Sequence, residues 1–331
     1  MISYKEFIST YNMGYGETNK DIIPKIIFRT GRWRIEDLPG DVLKVYNYTM
    51  SINPDYQFVY FSDDDCLNFI ESFYPEYVKY YKAIIPTAYR ADLFRYLLLK
   101  KYGGCYGDVT QKLNVSYDEL CKGVERVFCR DTITNPDGLY NALMCVCPSD
   151  KVVDEVLEIC KKNIDEKNYT DCTLGITGPG ALGLAFRNVF GLSKIDLNIN
   201  NKSLILDFRR LVYTLDKKLS EYDMIFYDSK DVPIGQPKLQ NHYELLYDAD
   251  KFGIHNPLST HYHDMWHQRN VFVHYEELEK ELKKTPDMST KKDLNVIGIY
   301  NDKGLKLTGP TKGLNLIVWS DGSVNKVTFD Y

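Results

Sequence analysis

IPTAYRADLFRYLLLKKYGGCYGDVTQKLN, residues 85–114, is the stretch on which the fold turns. Its first half has helical spacing. Ala88, Ala91, Phe94, Leu97 and Leu98 recur at steps of three and four and make one apolar face. Pro86 suits a first helical turn, where its missing N–H has no partner to lose. Gly103 and Gly104 end the helix, because glycine accepts a left-handed cap without a steric cost. A short strand, Cys105-Tyr106-Gly107, then delivers Asp108 at its end. Arg90, Asp92 and Arg95 are charges on a strongly apolar helix, and each needs a partner or water.

Outward from this unit, residues 23–30 (IPKIIFRT) read as a buried first strand ending at Gly31, after a polar lead over residues 1–22 with a short helix at most. Residues 41–53 form a helix, Asn53-Pro54-Asp55 a turn and residues 56–61 a second strand. The acidic run Asp63-Asp64-Asp65 follows Ser62. It reads better as the cap and acidic first turn of a helix over 64–73 than as a metal site. Beyond Asp108 come residues 113–120, a strand over 124–129, and Asn141 leading into an apolar strand. Residues 151–163 are an amphipathic helix. Thr177-Gly178-Pro179-Gly180 opens another at 181–189. Its N-terminus suits either plain capping or an anionic ligand. Strands are expected near Leu204 and Met224. The run HYHDMWH at 261–267 gathers three histidines, an acid and a tryptophan, a density that favours function over structure. A charged helix over 276–284 and short strands from Lys291 complete the chain. The domains expected are a lead (1–22), a catalytic α/β domain (23–285) and a β-rich appendage (286–331).

At 331 residues the chain can bury a sizeable core. A net charge of −5 gives it no general attraction for nucleic acid or anionic lipid. No apolar run approaches the ~18 residues of a membrane span, so none is expected. None of the eight cysteines forms C-x-x-C, and most sit in apolar runs as reduced core thiols. With no secretory signal in residues 1–20, a cytoplasmic location is expected.

The run R-A-D-x-x-R-Y at 90–96, followed by Y-G-G-x-Y-x-D at 102–108, resembles the DxD-type sugar-nucleotide glycosyltransferases. The nearest group is glycosyltransferase family 32, the capsular-polysaccharide and mannosyltransferase-like group. The resemblance runs roughly from Ile23 to Trp266. It implies a GT-A-like α/β fold, a mixed sheet flanked by helices. It also implies sugar transfer from a nucleotide donor, a UDP-sugar, to a glycan or glycoprotein acceptor with retention of configuration. By the same resemblance Asp92, Arg95 and Asp108 are the catalytic set. Arg29, Thr30, Arg90, Tyr106, Thr177, Gly178 and Trp266 line the donor site. Phe28 is either a base-stacking ring or a core residue, and Asn141 either a sugar ligand or a turn residue. The chain departs from the family at Asp108-Val109-Thr110, where a hydroxyl replaces the second acid. Mn²⁺ or Mg²⁺ is the implied cofactor, held by Asp108 and Thr110 with His263 in support and weakened by the missing carboxylate. The competing readings are a binding member of the same fold without turnover, and a phosphohydrolase with metal at residues 63–65.

Overall fold

In the computed structural model the residues described are 1–14, 21–131, 135, 137–210, 224–228, 230, 232–236 and 262–273, with the C-terminal strands 296–301, 306–307, 313–319 and 324–329. The helix at the centre of the quoted stretch is Thr87–Tyr102, and Pro86 is its N-cap rather than its first turn. Every residue from 92 to 99 is buried, while Ala88 is exposed. The helix is therefore not a surface element with one apolar stripe but a rod enclosed on all sides. Gly103 ends it at φ 63°, and its N–H donates to the Leu99 carbonyl.

Five strands position what matters. They are β1 (Ile2–Ser3), β2 (Ile26–Gly31), β3 (Gln57–Ser62), β4 (Gly104–Gly107) and β5 (Lys112–Leu113). The helices among them are α1 (Tyr4–Gly14), α2 (Gly40–Ser51), α3 (Asp63–Phe73), α4 (Val78–Ala83) and the central α5 (Thr87–Tyr102). After β5 come α6 (Tyr117–Leu120), β6 (Arg126–Arg130), β7 (Leu143–Val146), α7 (Lys151–Asp165) and α8 (Pro179–Phe190). The unit closes with β8 (Ser203–Arg210), β9 (Met224–Tyr227), β10 (Pro233–Gln236) and α9 (Tyr262–His267). The strands make one sheet in the order β1-β3-β2-β4-β7-β6-β8-β9-β10-β5. β1, β3, β2 and β4 run parallel, and β7 is antiparallel to both β4 and β6. The mixed α/β sheet flanked by helices is the expected class.

Alternation along β2 sorts its side chains between two cores. Ile26 and Phe28 join the cluster that holds α3, α5, α7 and α8, and Ile27 joins the cluster with α2 and α6. Ser62 and Asp65 close a capping box: Ser62 Oγ accepts from the Asp65 N–H and Asp65 Oδ2 from the Ser62 N–H at 3.0 Å. The acidic run is thus a helix start. The N-terminal lead holds a strand as well as a helix. β1 pairs with β3, and Phe7 is fully buried, its ring 5.8 Å from Phe28 and 5.1 Å from Tyr102. Tyr4, Phe7 and Ile8 recur at helical steps, which is why this segment docks.

The chain divides into two units, Met1–Val273 and His274–Tyr331, twelve residues before the expected 285/286 boundary. The second holds an antiparallel sheet of β11 (Val296–Asn301), β12 (Lys306–Leu307), β13 (Gly313–Trp319) and β14 (Val324–Phe329), ordered β12-β11-β13-β14. The β-rich character of this tail is as expected. The charged helix expected over 276–284 lies outside the described residues, as does His261. No described helix is long and apolar enough to cross a membrane.

Candidate functional site

Asp92 and Arg95 lie one turn apart on α5, on the flank that faces the end of β4 and the entry to β7. One turn brings their heads together: Arg95 Nη2 is 3.4 Å from Asp92 Oδ1. Arg95 Nη1 reaches the other way, to Asp108 Oδ1 at 3.4 Å and to the Asn141 carbonyl at 2.9 Å. The guanidinium carbon sits 4.6 Å from the centre of the Tyr106 ring, a cation–π contact. The Tyr106 hydroxyl shares a 2.8 Å hydrogen bond with Thr30 Oγ1.

Asp92 is held from two further sides. Asn141 Nδ2 donates to Oδ1 at 2.8 Å and Thr177 Oγ1 to Oδ2 at 3.0 Å. Asn141 Nδ2 also donates to the Tyr96 hydroxyl at 3.0 Å, which itself donates to the Thr177 carbonyl at 2.9 Å. Gly178 is the N-cap of α8, and a Cβ placed on it would stand 3.3 Å from Asp92 Oδ2. The positive end of α8 therefore already faces a carboxylate of the chain itself. Asp92, Arg95, Asn141 and Thr177 are all buried, and the Asp108 side chain, 35% exposed, is the outward end of the network.

Burial raises the Asp92 pKa, and Arg95, Asn141 and Thr177 act against that rise. For Arg95 burial acts to lower the pKa, but Tyr106, Asp108 and Asp92 outweigh it, so the guanidinium stays charged. Two carboxyl groups thus share one buried cation, with Asn141 and Thr177 as neutral donors to Asp92. Such an arrangement can hold Asp108 in one place while leaving its outer oxygen open to a ligand.

Of the residues expected from the sequence, this network unites Asp92, Arg95, Asp108, Tyr106, Asn141, Thr177 and Thr30, with Gly178 against it. Others lie elsewhere. Phe28 is fully buried among Phe7, Phe61 and Tyr102, so it is the core residue of the two alternatives. Arg29 is fully buried on the opposite face of the sheet, where Nη2 donates to the Tyr117 hydroxyl at 3.3 Å. It cannot meet a solvent-borne donor as it stands. Arg90 Nε donates to the Ile84 carbonyl at 2.6 Å. Trp266 Nε1 donates to the Tyr169 carbonyl at 2.6 Å, and His263 is exposed with Nε2 3.3 Å from His267 Nε2. From α9 it is Tyr262 that turns toward α5, its ring 5.6 Å from that of Tyr89, with Asp92 close enough to raise its pKa after burial has done so. Tyr96 and Tyr262 were not expected. Tyr96 lies inside the quoted motif, and its helical offset from Asp92 was the available signal. Two surface depressions, one at Arg130 and residues 192–198 and one around Glu125 and Arg126, include none of these residues.

The residues present supply an implied Mn²⁺ or Mg²⁺ with only part of a coordination shell. A hard cation needs several oxygen ligands. Thr110 is only 2% exposed, and Asp108 already pairs with Arg95. Among the described residues the one trio of metal-competent histidine, cysteine or carboxylate side chains consists of cysteines. Of the three residues expected to hold the cation, Asp108 is the one carboxylate.

Residues 39–122 match the family model described as "Glycosyltransferase sugar-binding region containing DXD motif". The chain is 26% identical over 204 residues to inositol phosphoceramide mannosyltransferase 2 of Schizosaccharomyces pombe, covering 61% of this chain and 56% of that one. It is 31% identical over 134 residues to inositol phosphoceramide mannosyltransferase 3 of the same organism, covering 40% and 36%. The chain spans about half the length of these relatives, or less. Among solved structures, a chain titled "PaToxG Glycosyltransferase" superposes with a TM-score of 0.39 at 16% identity, covering 56% of this chain and 77% of that one.

Proposed function

We propose, on the premise that residues 39–122 are a glycosyltransferase sugar-binding region of the DXD-containing family, that this protein transfers a sugar from a nucleotide-sugar donor to a glycan or glycoprotein acceptor. The observation that carries the reading is the bridge of Arg95 between Asp92 and Asp108. It gathers the residues of the R-A-D-x-x-R-Y and Y-G-G-x-Y-x-D runs into one charged network at the carboxyl end of a strand. Ligands of open α/β sheets collect at such ends.

In this reading Asp108 is the group that touches the donor, through its exposed oxygen. Arg95 fixes Asp108 and supplies positive charge where the diphosphate leaves. Asp92, Asn141 and Thr177 hold Arg95 in that orientation. A UDP-linked donor, retention of configuration, a cytoplasmic location and a divalent cation recruited with the donor belong to the same proposal. The eight free thiols suit a reducing compartment. The names of the relatives add a mannosyl donor to the candidates.

The test is release of nucleoside diphosphate from a panel of UDP-sugars and GDP-mannose, with and without Mn²⁺, in wild type and Asp108→Asn. Turnover of one donor that falls at least about 100-fold in the variant, as for loss of a group that stabilises transition-state charge, supports the reading. Turnover unchanged in the variant overturns the assignment of Asp108. The buried Thr110 favours a second reading, a nucleotide- or glycan-binding protein without turnover. Saturable UDP binding with no release from any donor would select it.

A further inference from the structure

Cys105 on β4 and Cys145 on β7 are direct partners in the antiparallel register, so both thiols leave the same face of the sheet. Cys121, the C-cap of α6, closes over them. Cys105 Sγ and Cys121 Sγ are 3.9 Å apart, and all three sulfurs lie within 4.8 Å of one another. All three are free thiols. Cys105 and Cys145 are buried and Cys121 is half-buried, which gives an entry route over Cys121.

Zn–S bonds of about 2.3 Å place two sulfurs about 3.8 Å apart in a tetrahedral site and about 4.0 Å apart in a trigonal one. The trio needs shifts of under about 1 Å to reach either arrangement. A disulfide needs sulfurs at about 2.05 Å, a larger closure, and would leave the third thiol over.

A second feature on the same face points to an anionic centre. β2 pairs with β4 at Ile27↔Cys105, and Arg29 follows two residues on, so it shares the face of the thiols. Arg29 is fully buried, and its Nε has no hydrogen-bond partner. Among the described residues no carboxylate pairs with it. Its Nη2 rests on Tyr117, the first residue of the helix that Cys121 ends. A buried cation without a counter-charge is costly, and it becomes favourable beside a negative group.

We propose that Cys105, Cys121 and Cys145 form a three-thiolate Zn²⁺ site, charge-balanced by Arg29 and separate from the sugar-transfer network. Binding exchanges three S–H protons for three S–Zn bonds: Zn²⁺ plus three thiols gives a Zn(thiolate)₃ anion of charge −1 and three H⁺. The guanidinium cancels that single negative charge. Cu⁺ also accepts three thiolates but would leave charge −2, one unit more than Arg29 balances. Cys121, the half-buried member of the three, is the side from which the ion would enter. The metal would tie α6 to β4 and β7 and so clamp the segment 105–121 that carries Asp108.

The test titrates the reduced, metal-stripped full chain with Zn²⁺ against a chromophoric chelator, and with Co²⁺ as a spectroscopic probe. The expected result is one equivalent of Zn²⁺ and a thiolate-to-Co²⁺ charge-transfer band displaced by Zn²⁺. Cys121→Ser should weaken binding about 100-fold or more, since even an outer partner of a metal ligand is worth about 10–100-fold. Cys172→Ser, at the exposed cysteine, should change nothing. If Cys121→Ser fails to fold by circular dichroism, the wild-type Co²⁺ spectrum still decides, because its intensity counts thiolate ligands. Absence of the charge-transfer band, unchanged affinity in Cys121→Ser, or uptake of Cu⁺ but not Zn²⁺ would each overturn the proposal.

Discussion

Replacing Asp92 with alanine removes, in one step, the acceptor for Asn141 Nδ2 at 2.8 Å, for Thr177 Oγ1 at 3.0 Å and for Arg95 Nη2 at 3.4 Å. Removing one partner of a buried ion pair costs about 3–5 kcal/mol. Three facts favour the lower end. Asn141 keeps the Tyr96 hydroxyl, and Arg95 keeps Asp108. Deleting Asp92 also relieves the desolvation that raises its pKa. A loss of about 3 kcal/mol follows. At about 2–4 °C per kcal/mol for a domain approaching this size, the midpoint should fall by about 6–12 °C. The assay is thermal unfolding of Asp92→Ala, Arg95→Met and the double variant, read by circular dichroism. The double variant should lose less than the sum of the singles by about 0.5–3 kcal/mol, because it strands no charge on that side. A midpoint within about 2 °C of wild type for Asp92→Ala, under 1 kcal/mol, would refute the account of Asp92 as a buried, load-sharing acceptor.

Three other outcomes are expected. The folded-state pKa of Asp92 lies above its ordinary value of 3.8, so its contribution to stability is full below 3.8 and is lost as pH rises through the folded value; midpoint-against-pH slopes above 3.8 should be flatter in Asp92→Asn, and equal slopes would be contrary evidence. Tyr96→Phe leaves the Thr177 carbonyl without its 2.9 Å donor and should lower stability by about 1–3 kcal/mol in urea unfolding, with no change expected if that hydroxyl is idle. Thr110→Asp places an acid where the DxD pattern has its second, at a site only 2% exposed; we expect loss of stability and no tighter Mn²⁺ binding by calorimetry, and a tighter site in the variant would show that residue 110 faces a bound metal.

What the sequence made legible was local. The helix, glycine stop, strand and acid of residues 85–108 follow from three-and-four spacing and glycine chemistry. The Ser62 cap follows from the acids that succeed it. Asn141 and Thr177 were singled out from family motifs, and both meet Asp92 in space. Phe28 and Arg29 show where such reading stops. Facing alternates with every residue of a strand, and which face meets which core depends on partners distant in sequence. The resemblance supplied a strand end near the donor but not the parity of the side chains. His263 and Trp266 were chosen for their density of polar rings, whereas α9 turns its Tyr262 inward, a matter of helix rotation. The thiol trio was invisible for a related reason: Cys105 and Cys145 become neighbours only once β4 and β7 pair.

Asn141 and Ala142, at the entry to β7, carry two adjacent carbonyls with different attachments. The Asn141 carbonyl accepts from Arg95 Nη1 at 2.9 Å. The Ala142 carbonyl accepts from the Asp108 N–H at 3.1 Å and from Gln111 Nε2 at 2.6 Å. The helix-borne cation and the turn-borne anion are therefore moored to two consecutive peptide units. A displacement of that short segment as a whole carries both charges together, so strain arriving along β7 would translate the charged pair without breaking it.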